Sequence, residues 1–315
     1  MTRAIVYTEF GSPDVLHLME IPDPVIAASD EVVVRVEAAG VNPIDTKLRS
    51  GKRPSRPITE PRPVGFDGAG VIEAIGDGVT GFVVGDRVAI RDTLGTYATS
   101  MIVPSHNLAL LPDAVTAAEG AAIGIPAGTA YQSLRSLGVT DGDTLLVHGG
   151  SGSVGQAAIQ FAVSWGATVI ATASPERHDQ VRELGATPIA YGPGLLDRVR
   201  EASPSSVTVA LDCAGTDEAI EVSLELVADR DRIATIVRGP DAGSFGIRAF
   251  SGGSPVPLTG EELAWRAEAL GKTVELLAAG DFTIELGPEL PLAEAVRAHE
   301  LIESGAATGK IILVP

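Results

Sequence analysis

Cysteine, lysine and long apolar runs are scarce in this 315-residue chain. The single cysteine, Cys213, excludes an intrachain disulfide and any zinc site built from several cysteines. Such usage fits a reducing compartment. Lysine occurs only at positions 47, 52, 272 and 310, and 23 basic residues face 41 acidic ones, a formal charge of −18. With a pI near 4.6 the chain lacks the electrostatic footprint for nucleic acid or for an anionic membrane surface. No apolar stretch approaches the ~20 residues that span a bilayer. Residues 120–131 come nearest and are broken by Gly124, Pro126 and Gly128. No basic-then-apolar leader opens the chain, so the expectation is a soluble, cytoplasmic protein. The five histidines (17, 106, 148, 178 and 299) show no metal-ligand pairing at helical spacing, and each reads as structural or exposed.

Hydrophobic residues make up 45% and charged residues 20%, enough for a sizeable core, and the length suits two domains at ~150 residues each. The first third is β-rich. Residues 31–37 are β-branched, residues 70–76 form a strand bounded by glycines, and 86–90 and 97–103 are further short strands. A turn-rich link over 51–63 carries Pro54, Pro57, Pro61 and Pro63. Many short strands with such punctuation predict a partly closed β-barrel.

Near residue 115 the pattern changes. Helical periodicity begins at Thr116, and a second helix is predicted over 126–137 with Gly138 as its stop. From Asp143 apolar strands (144–147, 167–171, 188–191, 207–211, 232–237) alternate with helices (154–165, 175–184), which implies a doubly wound parallel sheet covered on both faces. A glycine-rich loop over 239–257 precedes a long helix, 261–279. The tail, 282–315, returns to strand-helix-strand and is expected to rejoin the barrel.

Between the first apolar strand and its helix lies His148-Gly149-Gly150-Ser151-Gly152-Ser153-Val154-Gly155. Gly150, Gly152 and Gly155 satisfy G-x-G-x-x-G, with a strand before, a helix after and a second strand about twenty residues on. A tight turn there brings backbone close to a pyrophosphate and aims the helix's free N–H groups at it. Gly150, Gly152, Ser153, Val154 and Gly155 are therefore candidate dinucleotide ligands. An NAD binder usually ends the second strand with Asp or Glu. This chain has Ala173-Ser174-Pro175-Glu176-Arg177, where the Ser174 hydroxyl and Arg177 guanidinium suit a 2′-phosphate. NADP(H) is the expected cofactor, with Glu176 discordant and a solvated helix face the plainer reading of Arg177.

The chain resembles the zinc-independent quinone oxidoreductases of the medium-chain dehydrogenase/reductase superfamily over nearly its whole length. Asn42-Pro43-Ile44-Asp45 with Arg49-Ser50-Gly51 resembles the family's N-x-x-D-x-x-x-R-x-G. Gly65-Phe66-Asp67-Gly68-Ala69-Gly70 resembles its G-x-E-x-x-G, and Gly85-Asp86-Arg87-Val88 its G-D-x-V. Pro126 to Tyr131 is similar to the helix start bearing a threonine near the nicotinamide, and Gly309-Lys310-Ile311-Ile312-Leu313 to the closing G-K-I-V-L. The resemblance implies a GroES-like barrel domain (1–122 with 280–315), an inserted Rossmann domain (123–279), hydride transfer from NADPH to a quinone or conjugated enone, and often a homodimer.

Carried over by position, Asn42 and Asp45 would line the substrate side, Thr129 would hold the nicotinamide carboxamide, Tyr191 would sit at the adenosine phosphate end, and Lys310 would join the cofactor residues. Plainer readings stand beside these: Asn42 as a turn residue, Asp45 as a helix cap or partner of Arg49, Thr129 as a cap, Tyr191 as an ordinary strand aromatic. The cysteine and histidine of zinc-dependent relatives are absent near Asn42 and Phe66, so no metal is expected. Lys47 stands where many quinone reductases carry tyrosine, and Asp229-Arg230-Asp231 replaces a glycine pair, which opens the substrate identity. The reduced acceptor would take its proton from solvent or from Tyr131. An enoyl-thioester reductase with Arg53, Arg56 and Arg62 at its entrance, or a non-catalytic NADPH-binding protein, are the alternatives.

Overall fold

Strand Glu31–Gly40 organises the N-terminal half because it pairs with three others. Asp67–Ile75 runs antiparallel along one edge, while Ser100–Pro104 and then Lys310–Val314 share the other. Two register shifts against Asp67–Ile75, at Val33/Val34 and Val36/Ala38, bend the strand as bulges do. Val32, Val34, Val36, Ile72, Val88, Ile90, Met101 and Val103 fill the interior so formed. The computed structural model describes residues 1–53, 55–203, 205–250 and 254–315. Pro54 of the proline-rich link and residues 251–253 of the glycine-rich loop lie outside the described residues.

The chain divides into two compact units, Met1–Ile125 with Leu270–Pro315, and Pro126–Ala269. In the first, the seven-stranded sheet is joined by a small three-stranded one, His17–Ile21, Thr2–Tyr7 and Arg62–Pro63. The tail does return: Leu286–Pro291 and Lys310–Val314 are parallel, joined through helix Ala295–Ser304. That helix packs Ala295 and Ala298 into a cluster with Ile5, Val41, Tyr97, Ile311 and Leu313.

The second unit is built on a six-stranded parallel sheet. Its order is Thr187–Ala190, Thr168–Ala173, Thr144–His148, Val209–Asp212, Ile233–Thr235 and Arg248–Ala249. This is the doubly wound order, whose ligand crevice lies at the carboxyl ends of the two central strands, where the winding reverses. Those ends are His148 and Asp212.

Three expectations change. Instead of a helix ending before Pro126 and another starting there, one helix runs Ala117–Ser136 with Pro126 inside it. Proline removes one ladder bond, and the neighbouring Ile125 N–H is taken by the Asp67 carboxylate at 2.9 Å, so the irregularity is satisfied from outside the helix. Two helices, Leu195–Ala202 and Asp217–Leu226, fill crossovers for which no helix was expected. The glycine-rich loop contains a short helix, Ala242–Phe245, and the sheet's last strand.

Candidate active site

In the first unit, the strand pairing that closes the barrel sets Gly40 opposite both Ile312 and Asp67. Only glycine fits at 40: a Cβ would lie 2.0 Å from the Ala121 carbonyl oxygen and 2.8 Å from the Lys310 side chain. Val41 N–H then bonds the Ile311 carbonyl at 2.9 Å, and the chain turns at Asn42 into helix Pro43–Arg49. Proline at the first helical position costs no hydrogen bond.

Asn42, Asp45, Asp67 and Lys310 are thereby brought together, each at most 3% exposed. The Asn42 amide nitrogen donates to Asp67 Oδ2 (2.9 Å) and to the Gly40 carbonyl (3.3 Å). Its amide oxygen accepts from Lys310 Nζ at 2.5 Å, and that ammonium also reaches Asp67 Oδ2 at 3.2 Å. Lys310, expected among the cofactor residues, is the buried counter-ion of Asp67. Asp45 Oδ2 accepts the Asn42 N–H (2.9 Å), as a capping residue does, and the Tyr97 hydroxyl (3.0 Å). The ion pair with Arg49 that Asp45 was offered does not form; buried Arg49 pairs with Glu303.

Two carboxyls thus share one ammonium in a dry environment. Burial pushes the Asp67 carboxyl up, with Lys310 pulling the other way. Burial pushes Asp45 up to about 7; the Asn42 N–H resists, the Asp67 charge adds to the rise, and Lys310 and Tyr97 oppose it. Lys310 is the direct ion-pair partner of Asp67, and Asp45 exchanges its proton near neutrality. Oδ2 already accepts two hydrogen bonds, so the proton belongs on Oδ1, a buried atom with no partner among the described residues. Asp45 also lines a cavity of about 270 Å³ with Leu48, Val64, Phe66 and Leu94. Tyr97 is the participant that sequence reasoning missed; its position 52 residues from Asp45 leaves no local signal.

In the second unit, the turn after strand Thr144–His148 is tied to the neighbouring strand. Gly149 N–H donates to Thr172 Oγ1 (3.0 Å) and Gly150 N–H to the Thr172 carbonyl (2.8 Å). Gly155 opens helix Ser153–Ser164 so tightly that a Cβ would lie 2.2 Å from the Gly149 carbonyl oxygen. Gly152 differs. Its φ is −77°, and a Cβ there would meet nothing nearer than 3.6 Å. The fold does not require glycine at 152, and no side chain caps the helix there. An uncapped helix N-terminus with no tight contact over Gly152 could receive a pyrophosphate on the N–H groups of Ser153, Val154 and Gly155. Across the crevice, Asp212 Oδ1 accepts the Ala214 and Gly215 N–H groups, and Oδ2 the Thr235 hydroxyl. Burial lowers His148 to about 4 against the pull of Asp212, and burial with Asp212 raises the Cys213 thiol, so neither offers a cation or a thiolate at neutral pH.

The remaining candidates are scattered within this unit. Thr129 caps nothing; it is buried mid-helix, and its hydroxyl accepts from Arg266 at 3.0 Å. Tyr131 packs edge-on against Phe161 and Trp165, and its hydroxyl donates to Glu268 at 3.2 Å. Burial and that carboxylate push the phenol up, making it a poorer acid. The Ser174 hydroxyl, expected to face a phosphate, is engaged with the Glu176 carboxylate, which it holds below the usual range. Arg177 is half-buried just beyond, and Tyr191 is 60% exposed.

Residues 28–113 match the Alcohol dehydrogenase GroES-like domain, and residues 184–313 match the Zinc-binding dehydrogenase domain. The chain is 33% identical to the human quinone oxidoreductase, covering 100% of this chain and 98% of the relative, and 34% identical to that of Pseudomonas aeruginosa, covering both chains fully. It belongs to the quinone oxidoreductase family. Among solved structures, Escherichia coli quinone oxidoreductase complexed with NADPH is similar at 29% identity and a TM-score of 0.83, with full coverage of both chains. An NAD-dependent alcohol dehydrogenase is similar at 30% identity and a TM-score of 0.82, with 99% of each covered. Membership makes the chain an oxidoreductase with a GroES-like domain and a Rossmann-like parallel sheet.

The two glycines should separate cleanly. Gly155→Ala forces backbone apart and should cost about 1–3 kcal/mol of stability. Gly152→Ala should cost under about 1 kcal/mol, the ordinary penalty for losing a good N-cap, yet weaken NADPH several-fold. Denaturant melts and fluorescence titration check both; undiminished NADPH affinity in Gly152→Ala would remove the pyrophosphate assignment.

Lys310→Met leaves Asp67 buried without its cation. The expected loss at pH 8 is about 3–5 kcal/mol. The Asp67 carboxyl would then rise further, so it binds a proton in the folded state before it does in the unfolded one. Stability should recover as pH falls from 8 towards 5. Thermal melts across that range check it.

Proposed function

We propose that the chain reduces quinones or α,β-unsaturated carbonyl compounds with NADPH and without zinc. The observation that carries this reading is Asp45: a buried carboxyl that exchanges its proton near neutrality and lines a cavity of otherwise largely apolar character. When bound, the dinucleotide supplies the hydride. Every other requirement falls on the protein. The backbone of Gly150 to Gly155 holds the pyrophosphate, and Arg177 faces the 2′-phosphate. Leu48, Phe66 and Leu94 exclude water around the acceptor. As negative charge grows on the acceptor's oxygen, Asp45 passes it the Oδ1 proton, and the Asn42 N–H and Tyr97 hydroxyl stabilise the carboxylate left behind. Asn42 and Lys310 act by position, holding the helix start from which Asp45 projects.

Zinc independence is supported by charge. Lys310 Nζ already lies 2.5 Å from Asn42 and 3.2 Å from Asp67, and a divalent cation at these residues would meet that ammonium. Among the described residues no group of three or more His, Cys, Asp or Glu side chains could hold a metal. A preference for NADPH is supported by Arg177, with Glu176 opposing it through its carboxylate. The homodimer implied by resemblance belongs to the same proposal, and size-exclusion with light scattering reads it directly.

Purified protein should oxidise NADPH with a simple quinone at an unchanged rate in chelator, and use NADH less well. Arg177→Ala should reduce the NADPH preference about tenfold, the worth of one charge-assisted hydrogen bond, and Glu176→Gln should increase it. Zinc-dependent turnover, or a wild-type preference for NADH, would overturn those parts of the reading.

Asp45 gives a pH prediction with a definite sign. The protonated carboxyl is the donor, so kcat should be highest below pH 7 and fall as pH rises through about 7. Asp45→Asn keeps acceptance from Asn42 and Tyr97 but has no acidic proton; kcat should drop about a hundredfold and lose that fall. A variant at wild-type rate would return the proton to solvent.

A further inference from the structure

We propose that the acceptor carries an anionic group, bound where Arg56 and Arg62 line the mouth of the Asp45 cavity. The inference rests on assigning that cavity to the acceptor. In a chain with 41 acidic residues many arginines find carboxylates, Arg35, Arg49, Arg91, Arg238 and Arg248 among them, and those that do not, such as Arg3, Arg135, Arg198 and Arg230, are dispersed along the chain. Residues 51–62 instead gather several unpaired cations in one short stretch. They hold Lys52, Arg53, Arg56 and Arg62 with Glu60 as the sole acid, and among the described residues none of the four forms an ion pair.

Arg62 is fixed in place without being neutralised. Its guanidinium donates to Ser55 Oγ (3.0 Å) and to the Arg56 and Pro57 carbonyls (2.8 and 3.3 Å). It also lies 5.8 and 5.7 Å from the Tyr7 and Phe10 ring centroids. Every one of these partners is uncharged, so the full positive charge persists beside an apolar cavity. Arg56 adds a second, exposed cation. The overall charge of −18 repels anions from afar, but beyond ~8 Å it is screened at physiological salt, and inside that distance the loop's cations dominate. A ring that fills the apolar cavity and bears a carboxylate or sulfonate satisfies both parts.

The test uses a neutral naphthoquinone, its ring-sulfonated derivative and redox-inert naphthalene-2-sulfonate. The ratio of kcat/KM for the sulfonated to the neutral quinone should fall about five- to tenfold in Arg62→Gln and in Arg56→Gln, while Arg62→Lys retains most of it. Comparing ratios between proteins cancels the sulfonate's effect on the quinone's own reactivity. High salt should lower the wild-type ratio. A ratio unaltered by both glutamine variants and by salt overturns the inference while leaving quinone reduction standing. Calorimetric titration with naphthalene-2-sulfonate gives the converse. Arginine-dependent binding without turnover of either quinone keeps the anion site and removes the reductase reading, and binding that ignores the arginines removes the site.

Discussion

One buried ion pair governs the chemistry available to the first unit. Lys310 and Asp67 are 3% and 0% exposed. Taking both charges out of water costs more than their attraction alone returns unless further hydrogen bonds complete the arrangement. Asn42 and the Ile125 N–H complete it. The pair therefore fixes more than itself. It orients Asn42, ties the closing strand to the barrel, and lets a helix continue through a proline. It also leaves Asp45 without a cation of its own.

That last consequence links the fold to acid chemistry. A lone buried carboxyl is costly when ionised and inexpensive when protonated, and negative charge on the neighbouring Asp67 increases the difference. A second buried cation at the same spot would return Asp45 to an ordinary carboxylate. Arg49, on the same helix, is bound by Glu303 and by the Gly11 carbonyl instead. Helix Ala295–Ser304 brings His299 against Tyr97, and burial with Arg49 holds that imidazole at about 3, so it adds no charge. The surroundings of Asp45 are thus balanced for a neutral acid.

Legibility in the sequence follows the distance over which each feature is determined. The glycine loop was readable because strand, turn and helix are contiguous and the glycine spacing lies within eight residues. The alternation of apolar strands gave the parallel sheet for the same reason. Asn42 and Asp45 were visible as a motif, but their partners were not. Asp67 and Lys310 are 243 residues apart and meet because their strands both pair with Glu31–Gly40 at Gly40. Pro126 misled for the converse reason: a local rule ends helices at proline, and a carboxylate 58 residues away supplied the compensation. The plainer alternative for Thr129, a helix cap, fell once that helix proved continuous and left the residue in its interior. The Ser174 hydroxyl has a more local partner, the Glu176 carboxylate two residues on.

The two units solve the burial of polarity differently, and their chemical capacities differ accordingly. The first balances side chain against side chain, which permits a group to change protonation state. The second relies on backbone dipoles: Gly149 and Gly150 N–H groups on Thr172, Ala214 and Gly215 N–H groups on Asp212, and an uncapped helix start at Gly152. Backbone N–H groups do not titrate, so an anion held by them stays held across the pH range in which Asp45 gains and loses its proton. On the proposed reading, retention of the pyrophosphate and delivery of the proton fall to groups of different kinds, and a change of pH would act on the second and not on the first.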